Sequence, residues 1–205
     1  QISLMIQKIL CIGGYKKPSN AYLRTLSFVQ LGYKVERIDI DYKASVHNII
    51  LRILRRVYRP ILRRLLVKLI KKKIDVFSPD LIFIEKGVEF SAKNLIFFKS
   101  SVMNHVKIVH LNPDDPFGEF GNGWGKFVSS IPFYDIHFVP KEINRSEYLK
   151  LGAKSVYVYD RSFSPNYHKP SNLSKSELRL FGCEVGFIGS CAPYRESVIY
   201  AMLCE

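Results

Sequence analysis

Read for apolar and polar positions, the chain alternates short apolar runs with segments of helical periodicity. Lys8-Ile9-Leu10-Cys11-Ile12 predicts a first strand closed by Gly13-Gly14-Tyr15, and Ser19-Asn20 predicts the cap of a helix running to Leu31 and stopped by Gly32. Lys34–Ile40 alternates as an edge-proximal strand does. Pro79–Ile84 and Lys107–Leu111 lack that alternation, which suits parallel strands buried on both faces. Between them Ser91 caps a helix expected to reach about Asn104. Tyr134–Val139 predicts a fifth strand ended by Pro140, Lys141–Leu151 a helix stopped by Gly152, and Ser155–Tyr159 a sixth strand. Strand and helix in strict alternation predict an α/β fold, a Rossmann-like doubly wound parallel sheet.

Such sheets bind ligands beyond the carboxyl ends of their strands, and that rule selects the candidate chemistry. Glu85, Lys86 and Gly87 follow the third strand. His110 lies in the fourth strand, Asp114 and Asp115 follow it, and the single tryptophan, Trp124, sits between Gly123 and Gly125. Asp115, Asp114 and Glu85 are the candidate catalytic carboxylates, with His110 after them. Lys86, Gly87, His110 and Trp124 are expected along the same cleft. Each has a structural alternative: Asp114 and Asp115, beside Pro113 and Pro116, can simply form a turn. A histidine inside an apolar strand can be a hydrogen-bonded core residue, and a tryptophan can close a small cluster beneath a loop. Gly13 and Gly14 allow either a tight turn or the approach of a phosphate.

From Ile49 to Ile74 apolar residues recur at helical spacing, with ten basic residues from Arg52 to Lys73 falling mostly between them and no acid interrupting. The pattern predicts a basic amphipathic helix, or two, since Pro60 must kink it or start a second. Its basic side is either a solvated face or, across residues 52–73, a seat on an anionic membrane.

The chain has 205 residues, 47% hydrophobic and 24% charged, enough for one buried core and the start of another. The net charge of +13 points to a polyanionic neighbour. Nucleic acid is disfavoured, because the basic stretch carries little aromatic interleaving for base stacking. A phosphorylated receiver domain is disfavoured as well, since its carboxylate position at the end of the first strand holds Gly13-Gly14. No apolar run reaches the ~20 residues of a membrane-spanning helix. The N-terminus also lacks a basic-then-apolar-then-small signal pattern, so a cytoplasmic location is the expectation, and the four cysteines form no C-x-x-C pair, so neither zinc nor disulfides are expected. Residues 165–182, rich in Pro, Ser, Asn and Lys, read as a linker between a domain at 1–164 and the beginning of a second at 183–205. There Cys183–Ile188 predicts a strand, Gly189-Ser190 a turn, and Tyr194-Arg195-Glu196 the opening of a helix. The chain reads as part of a longer protein.

Taken in order, PDLIFIEKG, NPDDPF, IPFYDIHFVP, YLKLGAKSVYVYDRSFSPNYHKP and EVGFIGS followed by YRE resemble the N-terminal half of the CgeB-like spore-maturation glycosyltransferases, relatives of the group 1 enzymes with the GT-B fold. The resemblance implies two Rossmann-like domains facing a cleft, the first for a glycan or protein acceptor and the second for a nucleotide-sugar donor, with no metal or other cofactor. It places Gly13 and Gly14 in the family's first-strand loop and Gly189, Ser190 and Arg195 at the start of the donor domain, where a backbone turn and an arginine meet phosphate. Glu85, Lys86, Gly87 and the pair Asp114 and Asp115 match its third- and fourth-strand loops. A different class is also open: a non-catalytic glycan- or nucleotide-binding or assembly protein that keeps this fold.

Overall fold

The structure, a computed structural model, describes residues 6–40, 49–103, 105–118, 124–183, 189 and 193–203. It divides into two compact units, residues 1–162 and 163–205. The first unit is a six-stranded sheet in the order β2-β1-β3-β4-β5-β6, every neighbouring pair parallel. Its strands are β1 (Lys8–Gly13), β2 (Lys34–Asp39), β3 (Leu81–Glu85), β4 (Lys107–Leu111), β5 (Ile136–Val139) and β6 (Val156–Val158). The connecting helices are α1 (Asn20–Gln30), α2 (Ile49–Phe77), α3 (Ala92–Lys99), the short α4 (Gly125–Val128) and α5 (Glu142–Lys150), with a 3-10 turn at Ile131–Phe133. The α/β doubly wound sheet expected from the alternation is thus the observed fold, and its order reverses direction between β1 and β3.

Alternate residues of the central strands feed two cores. Leu10, Ile12, Ile82, Ile84 and Ile108 pack with Ile70, Ile74 and Phe77 of α2, with Leu95 and Phe98 of α3, and with Phe127, Tyr134 and Tyr148. Ile9, Cys11, Phe83, Val109 and Leu111 face the other way, with Ala21 and the partly buried Phe28 of α1. Burial on both sides explains why β1, β3 and β4 read as continuous apolar runs. Asp80 fixes the start of the sheet, its Oδ2 accepting the backbone N–H groups of Gln7 and Lys8 at 2.9 and 2.8 Å.

Several boundaries differ from those the sequence predicts. The helix after Ser91 ends at Lys99, five residues short of Asn104, where the hydroxyls of Ser100 and Ser101 both donate to the Phe97 carbonyl at 2.9 Å. β5 begins at Ile136, because Tyr134 ends the 3-10 turn and is fully buried. The basic stretch is one helix of 29 residues that continues through Pro60.

The second unit contains α6 (Lys175–Phe181) and α7 (Pro193–Leu203). α6 lies inside the stretch read as a linker; the side chain of Ser174 accepts from the Glu177 N–H, and Glu177 reaches back to the Ser174 N–H at 2.7 Å. That reciprocal cap satisfies two otherwise unpaired donors. The strand expected over 183–188 lies almost wholly outside the described residues.

The first core also encloses two imidazoles. His110 and His137 have no exposure, and their Nδ1 atoms lie 3.0 Å apart. His110 Nε2 lies 3.1 Å from the Lys86 carbonyl and His137 Nε2 2.9 Å from that of Ile131. Those three contacts call for three protons, and two neutral rings carry two. Burial nonetheless opposes the extra proton: it holds His137 down to about 4, against a smaller opposing pull from the Ile131 carbonyl, and holds His110 well below the usual range.

Candidate active site

The carboxyl edge of the sheet is built outward from β4. Asn112, fully buried, donates its backbone N–H to the Phe138 carbonyl at 3.0 Å and its side-chain amide to the Tyr148 hydroxyl at 3.1 Å. Its side-chain oxygen accepts from the Asp114 N–H at 3.2 Å, so the chain turns immediately after the strand. Asp115 then organises the loop. Its Oδ1 accepts from the backbone of Phe117 and Gly118 and from the Asn144 amide at 3.0, 3.1 and 2.9 Å, and its Oδ2 from Lys141 at 3.1 Å. Partial burial pushes its pKa upward, but the Phe117, Lys141 and Asn144 contacts prevail and hold it below the ordinary carboxylate value.

Asp114 has a different environment. Among the described residues its side-chain partner is Lys86, at 2.8 Å, and both side chains are half exposed. This pair ties the loop after β3 to the loop after β4. Lys86 and Gly87 both adopt positive φ, 63° and 64°. At Gly87 a Cβ would stand 2.7 Å from the Tyr134 hydroxyl, so both the turn and the space beneath it require glycine.

Asp114 and Asp115 line a crevice of about 710 Å³ with Pro113, Gly118, Trp124, Pro140, Lys141 and Arg161. Trp124 combines both roles open to it: it packs edge-on against Phe127 at 5.7 Å and also forms part of the crevice wall. Lys141 and Arg161 are the residues that sequence reasoning missed. The signal was present, since both follow directly on β5 and β6 at the edge where β4 delivers the aspartates.

The remaining candidates do not join this crevice. His110, expected on the cleft side, is enclosed in the core between β4 and its neighbours, where the apolar run around it continues inward. Glu85 is 6% exposed at its side chain and is bound by Arg24 of α1, with Nη2 to Oε1 at 2.6 Å and Nε to Oε2 at 3.3 Å. Gly13 is filled from within: a Cβ there would meet the Tyr15 hydroxyl at 3.1 Å and the Glu85 Cβ at 3.2 Å. The Tyr15 ring covers the end of β1, and the Gly14 carbonyl accepts from Ser19 at 3.1 Å. In the second unit Gly189 is exposed, whereas Ser190 and the side chain of Arg195 lie outside the described residues. Among the described residues no cluster of three or more His, Cys, Asp or Glu side chains could hold a metal ion. No described helix is long and apolar enough to cross a membrane.

No family model matches the chain, and no curated protein matches it. Among solved structures it is similar to a pilus assembly-related protein from Burkholderia pseudomallei K96243, with a TM-score of 0.31 and 12% identity over 75% of this chain and 78% of that one. A likeness that distant carries no functional argument.

Proposed function

We propose that the first unit is the acceptor-side domain of a nucleotide-sugar glycosyltransferase that acts in the cytoplasm, with its acceptor seated in the crevice beyond β4, β5 and β6. The observation that carries this reading is the make-up of that crevice: an aromatic wall at Trp124, the cations Lys141 and Arg161, and the half-exposed carboxylate of Asp114. An aromatic face packs against the apolar side of a sugar ring, and the cations suit an anionic group on acceptor or donor. The order of sequence motifs shared with the CgeB-like enzymes supports the same reading.

Transfer requires a base for the acceptor hydroxyl, and we assign that role to Asp114 rather than Asp115 or Glu85. Asp115 already accepts four hydrogen bonds and Glu85 is locked to Arg24. The pair Asp114–Lys86 is half exposed, and such a pair is worth only ~0–1 kcal/mol, so an incoming hydroxyl can displace the lysine at little cost. A second reading, a carbohydrate-binding domain without catalysis, is favoured by one fact: of the tandem aspartates, one is consumed in holding the loop.

The test is transfer and hydrolysis of UDP-, GDP- and dTDP-sugars by the natural protein, with and without EDTA. Asp114→Asn is expected to lower turnover by ~10² or more while leaving donor binding in place. Unchanged turnover in that variant removes Asp114 as base. If instead the folded protein turns over no sugar nucleotide but binds glycans, and Trp124→Ala abolishes that binding, the carbohydrate-binding reading replaces transfer.

A further inference from the structure

α2 carries two apolar faces. Ile70, Ile74 and Phe77 point into the first core. On the opposite side Tyr58, Ile61, Leu65, Leu69 and Val76 are 51, 53, 56, 49 and 76% exposed. Their spacings of three, four, four and seven residues align them in one stripe along the helix. Beside the stripe, Arg64, Lys68 and Lys72 follow one another at intervals of four. All three are exposed and have no carboxylate partner among the described residues. Among the described side chains other cations of the helix are paired, Arg63 with Glu89, Lys71 with Asp75 and Lys73 with Glu36.

We propose that this outward face of α2 seats the protein on the surface of an anionic lipid bilayer, with the leucine stripe in the headgroup boundary and Arg64, Lys68 and Lys72 on acidic headgroups. An amphipathic helix with apolar and basic sides lies in the interface in this way, and each basic residue near an acidic surface adds to the attraction. Charge decides between a bilayer and a second copy of the chain. Lys72 falls within the stripe, between Leu69 and Val76, so a self-paired seam buries an unpaired ammonium from each copy. At a bilayer the same side chain reaches up to a phosphate while its methylenes stay in the apolar layer. A nucleic-acid backbone accounts for the cations but leaves the leucines facing phosphate and water.

The experiment is flotation of the 205-residue chain with vesicles of phosphatidylcholine alone and of phosphatidylcholine mixed with phosphatidylglycerol. Two variants accompany it, Arg64→Gln/Lys68→Gln/Lys72→Gln and Leu65→Ser/Leu69→Ser, with circular dichroism confirming that each folds; every substituted side chain is solvent-facing. Binding to the phosphatidylglycerol vesicles is expected, with a loss of about 100-fold in partitioning for the triple variant from the removal of three charges. The leucine variant is expected to release the protein from those vesicles too. Equal binding to both vesicle types, or binding that either variant leaves intact, overturns the proposal. So does a failure to float combined with a dimer in solution that the leucine variant dissociates, or combined with oligonucleotide binding that only the triple variant removes.

Discussion

Removing Arg24 while retaining Glu85 strands a carboxylate that the fold has withdrawn from water. The Glu85 side chain is 6% exposed and that of Arg24 23%, so the two halves of the pair are not equivalent. Arg24→Met leaves a buried charge without a counter-ion, a situation that costs ~3–5 kcal/mol; the partial access of solvent to the Arg24 site puts the expectation at the lower end, about 3 kcal/mol. Glu85→Gln leaves a guanidinium that can turn toward solvent, and about 1 kcal/mol is expected. Arg24→Met/Glu85→Gln removes both charges and should recover most of the larger loss, since no buried carboxylate is left without its counter-ion. Urea unfolding of the four proteins, followed by circular dichroism, closes a double-mutant cycle whose coupling should approach 2 kcal/mol or more. In thermal melts the first variant should fall by roughly 6–12 °C for a chain of this size. Equal losses below about 1 kcal/mol in both single variants refute the buried-charge argument. A Glu85→Gln protein that is stable yet inactive returns Glu85 to the candidate catalytic groups.

Gly87→Ala forces a side chain onto φ +64° and places its Cβ 2.7 Å from the buried Tyr134 hydroxyl, so a loss of about 3 kcal/mol is expected in the same urea assay. Between about pH 6.5 and 4 the unfolded chain takes up protons that the buried imidazoles refuse, so native stability should be fully retained and independent of their titration above that window and fall as pH falls through it. His137 alone contributes up to about 3 kcal/mol of that fall, and His137→Asn should flatten the stability profile most visibly above about pH 5, before carboxylates titrate. Asp115→Asn turns an amide N–H toward the donors of Lys141 or Asn144 and should cost about 2 kcal/mol, whereas Asp114→Asn should cost under about 1 kcal/mol. Emission from Trp124, the single tryptophan, should shift in the first variant and stay in place in the second.

The strands were legible because burial on both faces leaves an unmistakable mark. Leu81–Ile84 and Ile108–Leu111 have no polar interruption except His110, and that residue is the informative one. Its position in an apolar run already contained its burial, but its proximity to the strand end drew it into the list of cleft residues. Pairings between distant segments were not legible. Glu85 and Arg24 are 61 residues apart, and nothing in either local sequence discloses that α1 lays its arginine across the end of β3. The cap of α6 was legible and overlooked: Ser174 and Glu177 stand at the spacing of a capping box, inside a composition that argued for a linker. Lys141 and Arg161 are of another kind. Each sits where the sheet rule places ligand contacts, yet a lone cation after a strand is common, and only the shared crevice distinguishes these two.

The tandem aspartates illustrate why residue type and position leave roles unassigned. Both follow the same strand, both flank prolines, and both line the same crevice. What separates them is hydrogen-bond supply. The Asn112 side chain turns the backbone so that Asp115 meets two successive N–H groups, and α5 adds Asn144 while its cap residue adds Lys141. With four donors directed at it, Asp115 is held ionised and fixed, a poor proton acceptor for substrate but a rigid anchor for its neighbour. Asp114 is left with Lys86, in direct contact at 2.8 Å and half exposed like its partner. A loop that commits one carboxylate to structure can present the next in a defined position without satisfying it, which is the condition a base requires before substrate arrives. On the proposed reading the two residues serve this edge of the sheet in different ways: Asp115 sets the geometry of the loop, and Asp114, paired only with a half-exposed lysine among the described residues, supplies the base.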